Sequence, residues 1–131
     1  VLLLMQELRR RRGLAFLFVS HDLSVVRWFC ERVAVMYLGR IVEEGPAARV
    51  LANPLHPYAQ MLRDASPVPD PARRGVLPRI TGEIPSAANP PPGCPFHPRC
   101  PQAMPQCARD LPRWTHAAGD NQGGVACHLH G

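Results

Sequence analysis

The sequence predicts a mixed α/β chain with three successive textures, and three observations carry that expectation. A continuous apolar run, Leu14–Val19, follows one helical stretch and precedes another. Two apolar runs flank a glycine in "VAVMYLGRIVEEG", residues 33–45. Beyond Ser66 prolines recur and apolar periodicity stops, and four of the five cysteines then fall between Gly93 and Gly131. The expected organisation is an α/β part over residues 1–65, a Pro-rich connector over 66–92, and a small irregular Cys-rich module over 93–131.

Each element follows from local pattern. "VLLLMQELRRRRG" predicts a helix, with Leu4, Met5 and Leu8 at helical spacing and Gly13 as its stop. Arg9–Arg12 complement the negative end of its dipole. Leu14–Val19 is short and wholly apolar, as in a strand buried on both faces. Asp22 is placed to cap a second helix with Val25, Val26, Phe29 and Cys30 inward. Residues 33–45 predict a hairpin turning at Gly39-Arg40. Pro46 opens a short helix, "PAARVLA", and Asn53-Pro54 precedes another within 53–65. "ITGEIP", residues 80–85, suggests a short strand inside the connector. Cys30 is expected as a small core residue, and Trp28 and Phe29 as packing.

Composition excludes several classes. At 131 residues the chain is one modest domain or part of a larger one. Val1 to Leu4 reads as helix interior, so a partial chain is expected. The opening has neither a basic leader nor a small-residue cleavage site, so no signal peptide is expected. No apolar run approaches the ~20 residues of a membrane span. All fifteen basic residues are Arg. A phosphate-binding P-loop needs its Lys, so this chain contains none. The net charge of +5 comes from scattered Arg without interleaved aromatics, which predicts solvated surface and no nucleic-acid partner.

Two sets of residues carry chemistry. In open α/β sheets ligands bind beyond the carboxyl ends of strands, and His21 lies two residues past Val19, at such an end. An imidazole there can donate to a ligand oxygen or simply satisfy a turn, and Ser-His-Asp is too short to decide. A hydrolytic triad is excluded, because three consecutive side chains do not converge.

Cys94, Cys100, Cys107 and Cys127 are separated by five, six and nineteen residues. Four thiols in a Pro-rich tail suggest a cross-link standing in for a core. Disulfides suit a chain without a signal sequence poorly. Zinc sites usually include a gap of roughly two to four residues, which is missing here. The spacing does not match ferredoxins either, so zinc and iron–sulfur both stay open. His128 is a substitute ligand in a zinc version. With four cysteines available, His97, His116, His128 and His130 are expected not to ligate.

The stretch "LAFLFVSHDLSVVRWFCERVAVMYLGRIVEEG" resembles the closing part of an ABC-transporter nucleotide-binding domain, a P-loop-type ATPase. "NPLHPYAQMLRDASPVPDP", "ITGEIPSAANPPPGCPFHPRCPQAMPQC" and "VACHL" are similar to the C-terminal extension of its oligopeptide/dipeptide importer branch. The resemblance covers practically the whole chain. It implies that His21 is the switch histidine contacting the γ-phosphate of ATP, with Mg2+ bound elsewhere in the intact protein. P-loop, signature and Walker B motifs would precede Val1, so this chain alone is expected to be inactive. The resemblance also implies a four-iron, four-sulfur cluster on Cys94, Cys100, Cys107 and Cys127, with zinc as the alternative. Arg99 would then be placed for charge-assisted hydrogen bonds to its sulfurs.

The implied function is to power import of peptides or related small solutes from the cytoplasmic face of the cell membrane. The implied partners are a second ATPase subunit, identical or homologous, and integral-membrane permease subunits, with an extracytoplasmic solute-binding protein reached indirectly. A reading from another class is a zinc-stabilised interaction module binding nucleic acid or protein without enzymatic activity. Residues 14–45 have no purpose in such a module. A truncated gene product with no independent role is compatible with the family reading.

Overall fold

Backbone signals at the ends of helices act largely where the sequence puts them. In the computed structural model, which describes residues 1–66 and 81–131, α1 spans Leu2–Arg12. Gly13 ends it in the left-handed region, φ 63°, with its N–H returned to the Arg9 carbonyl. Arg10 and Arg11 pair with Glu7 one turn back, and Arg9 pairs with Glu31. α2, Leu23–Phe29, starts at Asp22, whose carboxylate accepts the Ser24 and Val25 N–H groups. Val26 and Phe29 are buried on its inner side, Val25 and Cys30 are half-buried, and Trp28 is half exposed.

The expected hairpin forms from β1, Arg32–Tyr37, and β2, Arg40–Pro46. Its turn sits one residue earlier than expected. Leu38 and Gly39 have φ of 45° and 78°, the double positive φ of the tight turn that matches strand twist. α3, Ala47–Ala52, follows Pro46, and α4, Pro57–Ala65, begins later than Asn53-Pro54 suggests.

Leu14–Val19 corrects the sequence reading: it is not a buried strand. No described segment hydrogen-bonds beside it, and Leu17 and Val19 are 96% and 91% exposed. Phe16 and Phe18 pack on Phe29, with centroids 6.3 and 5.5 Å away, so α2 covers one side only. A strand of the parallel-sheet type needs neighbours on its edges, and these residues have none among those described. Residues 81–85 likewise form no strand, and Ile80 lies outside the described residues, as does most of the Pro-rich stretch.

The tail is more regular than expected. Short 3-10 turns span His97–Arg99 and Pro105–Ala108, and a second hairpin joins β3, Trp114–Ala117, to β4, Asp120–Ala126. β4 lies antiparallel to β2, giving one four-stranded sheet in the order β1-β2-β4-β3. Gly124 is required there, because a Cβ would come within 2.7 Å of Trp114 Nε1.

A bulge in β2 organises the core. Val35 pairs with Glu43 and Met36 with Ile41, leaving Val42 as the extra residue. Val42 and Glu43 are consequently both buried, at 4% and 0% exposure. Glu43 is satisfied by Arg49 Nη1 at 2.8 Å and by the N–H groups of Leu55 and His56, 2.9 and 2.8 Å from Oε2. One cluster joins Val35, Tyr37, Val42, Val50 and Ala59 to Cys94, Phe96 and Cys107. A second joins Val26 of α2 to Ala47 and Leu51 of α3, with Cys30 packed against it.

Removing a buried carboxylate strands its partners. Glu43→Ala is expected to cost about 3–5 kcal/mol. Urea unfolding checks this as a lower midpoint at an unchanged slope.

Candidate functional site

Short-range hydrogen bonds place His21. The Asp22 N–H donates to Ser20 Oγ at 3.0 Å while the Asp22 carboxylate caps α2. The neighbours on both sides are thus committed to the turn, and the imidazole between them is exposed. It stands at the end of an apolar segment and the start of a helix, as the sequence predicts. The segment itself is not the sheet strand expected to hold it.

The cysteines are assembled by the tail. All five cysteines are free thiols, and Cys94, Cys107 and Cys127 are each 8% exposed. Burial pushes the thiols of Cys94, Cys100 and Cys127 up. Weaker charge interactions link every pair among the four, so the structure brings all four predicted thiols into mutual range. Gly93 permits the approach: its φ is 70°, and a Cβ there would collide with the Cys107 carbonyl. The Cys94 N–H donates to that same carbonyl at 2.8 Å. Among the described residues no three His, Cys, Asp or Glu side chains are grouped to chelate a single metal ion.

Backbone N–H groups oppose that rise: those of Phe96 and His97 for Cys94, that of Gln102 for Cys100 and that of Leu129 for Cys127. The Met104 N–H lies 3.4 Å from Cys107 Sγ. Three tail histidines bond to backbone carbonyls: His97 to Cys94, His128 to Asp110 and His130 to Leu55.

Two groups beneath the site escaped sequence reasoning. Phe96, 1% exposed, is ringed by Tyr37, Tyr58 and His56 at 5.2, 5.4 and 5.8 Å. The hydroxyl of Tyr37, Nε2 of His56 and Nε of Arg99 are buried there without partners among the described residues. His56 Nδ1 accepts the Tyr58 N–H at 3.0 Å, which leaves the ring proton on Nε2. The only sequence signal was the position of His56 just before Pro57, where a helix cap belongs.

The family model for the C-terminal region of oligopeptide/dipeptide transporters matches residues 42–107, from β2 to the third tail cysteine. The chain belongs to this family. Over 98% of its length it is 47% identical to a protein of Sinorhizobium fredii named "Probable peptide ABC transporter ATP-binding protein", covering 36% of that protein. Over 99% of its length it is 48% identical to the oligopeptide transport ATP-binding protein AppF of Bacillus subtilis, covering 40%. The chain thus spans little more than a third of the length of these transporter relatives. Neither is named as a free-standing Cys-rich interaction module. No helix among the described residues is long and apolar enough to cross a membrane.

His56 makes stability pH-dependent. Its pKa falls from 6.5 to about 4, first because burial disfavours the charge and second because His130 is near. Below pH 6.5 the unfolded chain binds a proton that the folded chain refuses. Stability present above pH 6.5 is therefore lost as pH falls toward 4, by about 3 kcal/mol. Urea unfolding from pH 7 to 4.5 checks this. His56→Asn, which keeps a capping oxygen, is expected to show a correspondingly shallower decline.

Proposed function

We propose that the chain is the C-terminal part of an ATP-hydrolysing subunit that powers import of peptides or related small solutes across the cytoplasmic membrane. The observation that carries this is the near-complete coverage of the chain by its similarity to peptide ABC ATP-binding proteins. The relatives extend well beyond the region matched, and this chain has no Lys for a P-loop. ATP and its Mg2+ would therefore be held mainly by residues outside it.

In this reading His21 donates a hydrogen bond to the γ-phosphate of ATP. A fixed donor there stabilises charge on the transferred phosphoryl group and registers its presence. The bare side of Leu14–Val19 would be covered by neighbouring strands of the nucleotide-binding domain. The intact subunit would pair with a second ATPase subunit, identical or homologous. It would dock on integral-membrane permeases at the cytoplasmic face, with the solute-binding protein on the far side. Residues 1–65 would close the nucleotide-binding domain, 66–92 connect, and 93–131 form the cysteine module.

The cysteines fit a four-iron, four-sulfur cluster better than zinc. Three buried thiols and the half-buried Cys100 lie near one another, the Met104 N–H bonds to Cys107 Sγ, and three of the four nearby histidines are engaged with carbonyls. Bound by Cys94, Cys100, Cys107 and Cys127, such a cluster supplies a four-way cross-link and a one-electron couple.

In the full-length subunit, His21→Ala is expected to slow ATP hydrolysis by about 10²–10³-fold while ATP binding persists. This chain alone is expected to show no ATP turnover. Measurable hydrolysis by the chain, or full activity of the variant, overturns the assignment. Reconstituted without oxygen from ferrous iron and sulfide, the chain is expected to turn brown, and Cys→Ser at any of the four positions to lose most of that colour. A colourless protein with one zinc per chain overturns the cluster.

A further inference from the structure

Phe96 gathers three polar groups that nothing among the described residues answers. Its ring, 1% exposed, is approached by Tyr37 at 5.2 Å, nearly edge-on at 84°, and by His56 at 5.8 Å and 55°. Arg99 closes the turn that follows, with its N–H returned to the Phe96 carbonyl at 3.0 Å. The Tyr37 hydroxyl, His56 Nε2 and Arg99 Nε are all buried and without a hydrogen-bond partner. Tyr37 and His56 are themselves 4% and 1% exposed.

The inventory of donors decides what fits. His56 Nδ1 accepts the Tyr58 N–H at 3.0 Å, so Nε2 carries the ring proton and can only donate. Arg99 Nε is likewise a donor and never an acceptor. The one acceptor among the three is the Tyr37 oxygen, and no bond joins it to either nitrogen. Phe96, which both rings touch, offers only a π face, a weak substitute. Two donors and a hydroxyl around one aromatic ring call for an oxygen with lone pairs to spare. Apolar cavities stay dry, whereas a water is held where roughly two to four polar groups surround it. Leaving three such groups unanswered costs more than immobilising one water.

We propose that an internal water sits against Phe96, accepting from His56 Nε2 and Arg99 Nε and donating to the Tyr37 hydroxyl. Tyr37 ends β1, His56 caps α4 and Arg99 lies in the tail. The water therefore ties together three segments that are distant in sequence. It depends on no nucleotide, metal or partner subunit.

The test uses the 131-residue chain. With 15N in its histidine rings, the His56 Nε2–H is expected to show a cross-peak to water. Opposite signs of that peak in laboratory-frame and rotating-frame experiments separate a bound water from proton exchange. Tyr37→Phe keeps the ring and removes the hydroxyl. In urea unfolding it is expected to lower the folding equilibrium constant about fivefold. An unanswered hydroxyl gives the reverse, because its removal relieves a buried polar group. His56→Asn keeps a capping oxygen and removes Nε2. Combined with Tyr37→Phe, it is expected to cost less than the product of the two single losses, since both act on one water.

Absence of the bound-water cross-peak overturns the proposal. So does a Tyr37→Phe chain that is as stable as the unmodified one or more so, and so do losses that simply multiply in the double variant. Should Tyr37→Phe fail to fold, the cross-peak on the unmodified chain decides alone.

Discussion

A carboxylate buried by a one-residue bulge holds the described structure together. In a regular strand without the bulge, alternation would place Val42 and Glu43 on opposite faces. With it, Glu43 turns into the interior, where an isolated charge is intolerable. Three donors answer it: the Arg49 guanidinium on α3 and two N–H groups just before α4. One side chain therefore sets where both helices lie. The same strand pairs with β4, which ends beside Cys127. Arg49 is held further by its 2.7 Å bond to the Glu44 carbonyl. A Cβ on Gly45 would intrude on that guanidinium at 2.5 Å, so "EEG" is needed as a unit.

What was legible in the sequence is local. Gly13, Asp22 and Pro46 act through their own backbone or the next three residues, and the structure uses each as expected. The hairpin was legible because both of its strands carry apolar runs and its turn carries glycine. Its bulge was not, since nothing in "RIVEEG" distinguishes a regular strand from one with an added residue. The second hairpin was missed for a physical reason. "WTHAAGDNQGGVA" is rich in glycine and polar residues, and among the described β4 side chains only Val125 is almost fully buried, at 1% exposure. Its pairing with β2 spans some eighty residues of chain, and no local pattern announces such a contact. Leu14–Val19 failed in the opposite sense: its composition describes a strand buried on both faces, while the described residues supply cover for only one side.

The candidate site divides the same way. Cysteine count suggested a shared site, and the four thiols lie near enough to raise one another's pKa, though no three of the described His, Cys, Asp or Glu side chains are grouped around one point. Spacing did not separate zinc from iron–sulfur, because the chain between ligands can loop freely. The prolines after Cys94 and Cys100 were the visible trace of the turns those residues open. His56 left no such trace. Its role depends on Phe96 and His130, both distant in sequence, packing around a ring that also caps a helix.

The two candidate sites are joined by packing. α2, which His21 precedes, packs on α3 through Val26, Ala47 and Leu51. α3 is tied to β2 by the Arg49–Glu43 pair, β2 is paired with β4, and β4 runs to Cys127. Such a path is not by itself a signal, because coupling needs an element with two arrangements that both sites bias. The contacts here favour one arrangement: a fully satisfied buried carboxylate, a bulge fixing register and glycines at points of closest approach. Sliding β2 by one residue would expose Val42 and strand Arg49, a cost of several kcal/mol. The sheet is thus built as a strut. Its mechanical consequence is that α3 and α2 rest on a platform whose register one buried carboxylate fixes.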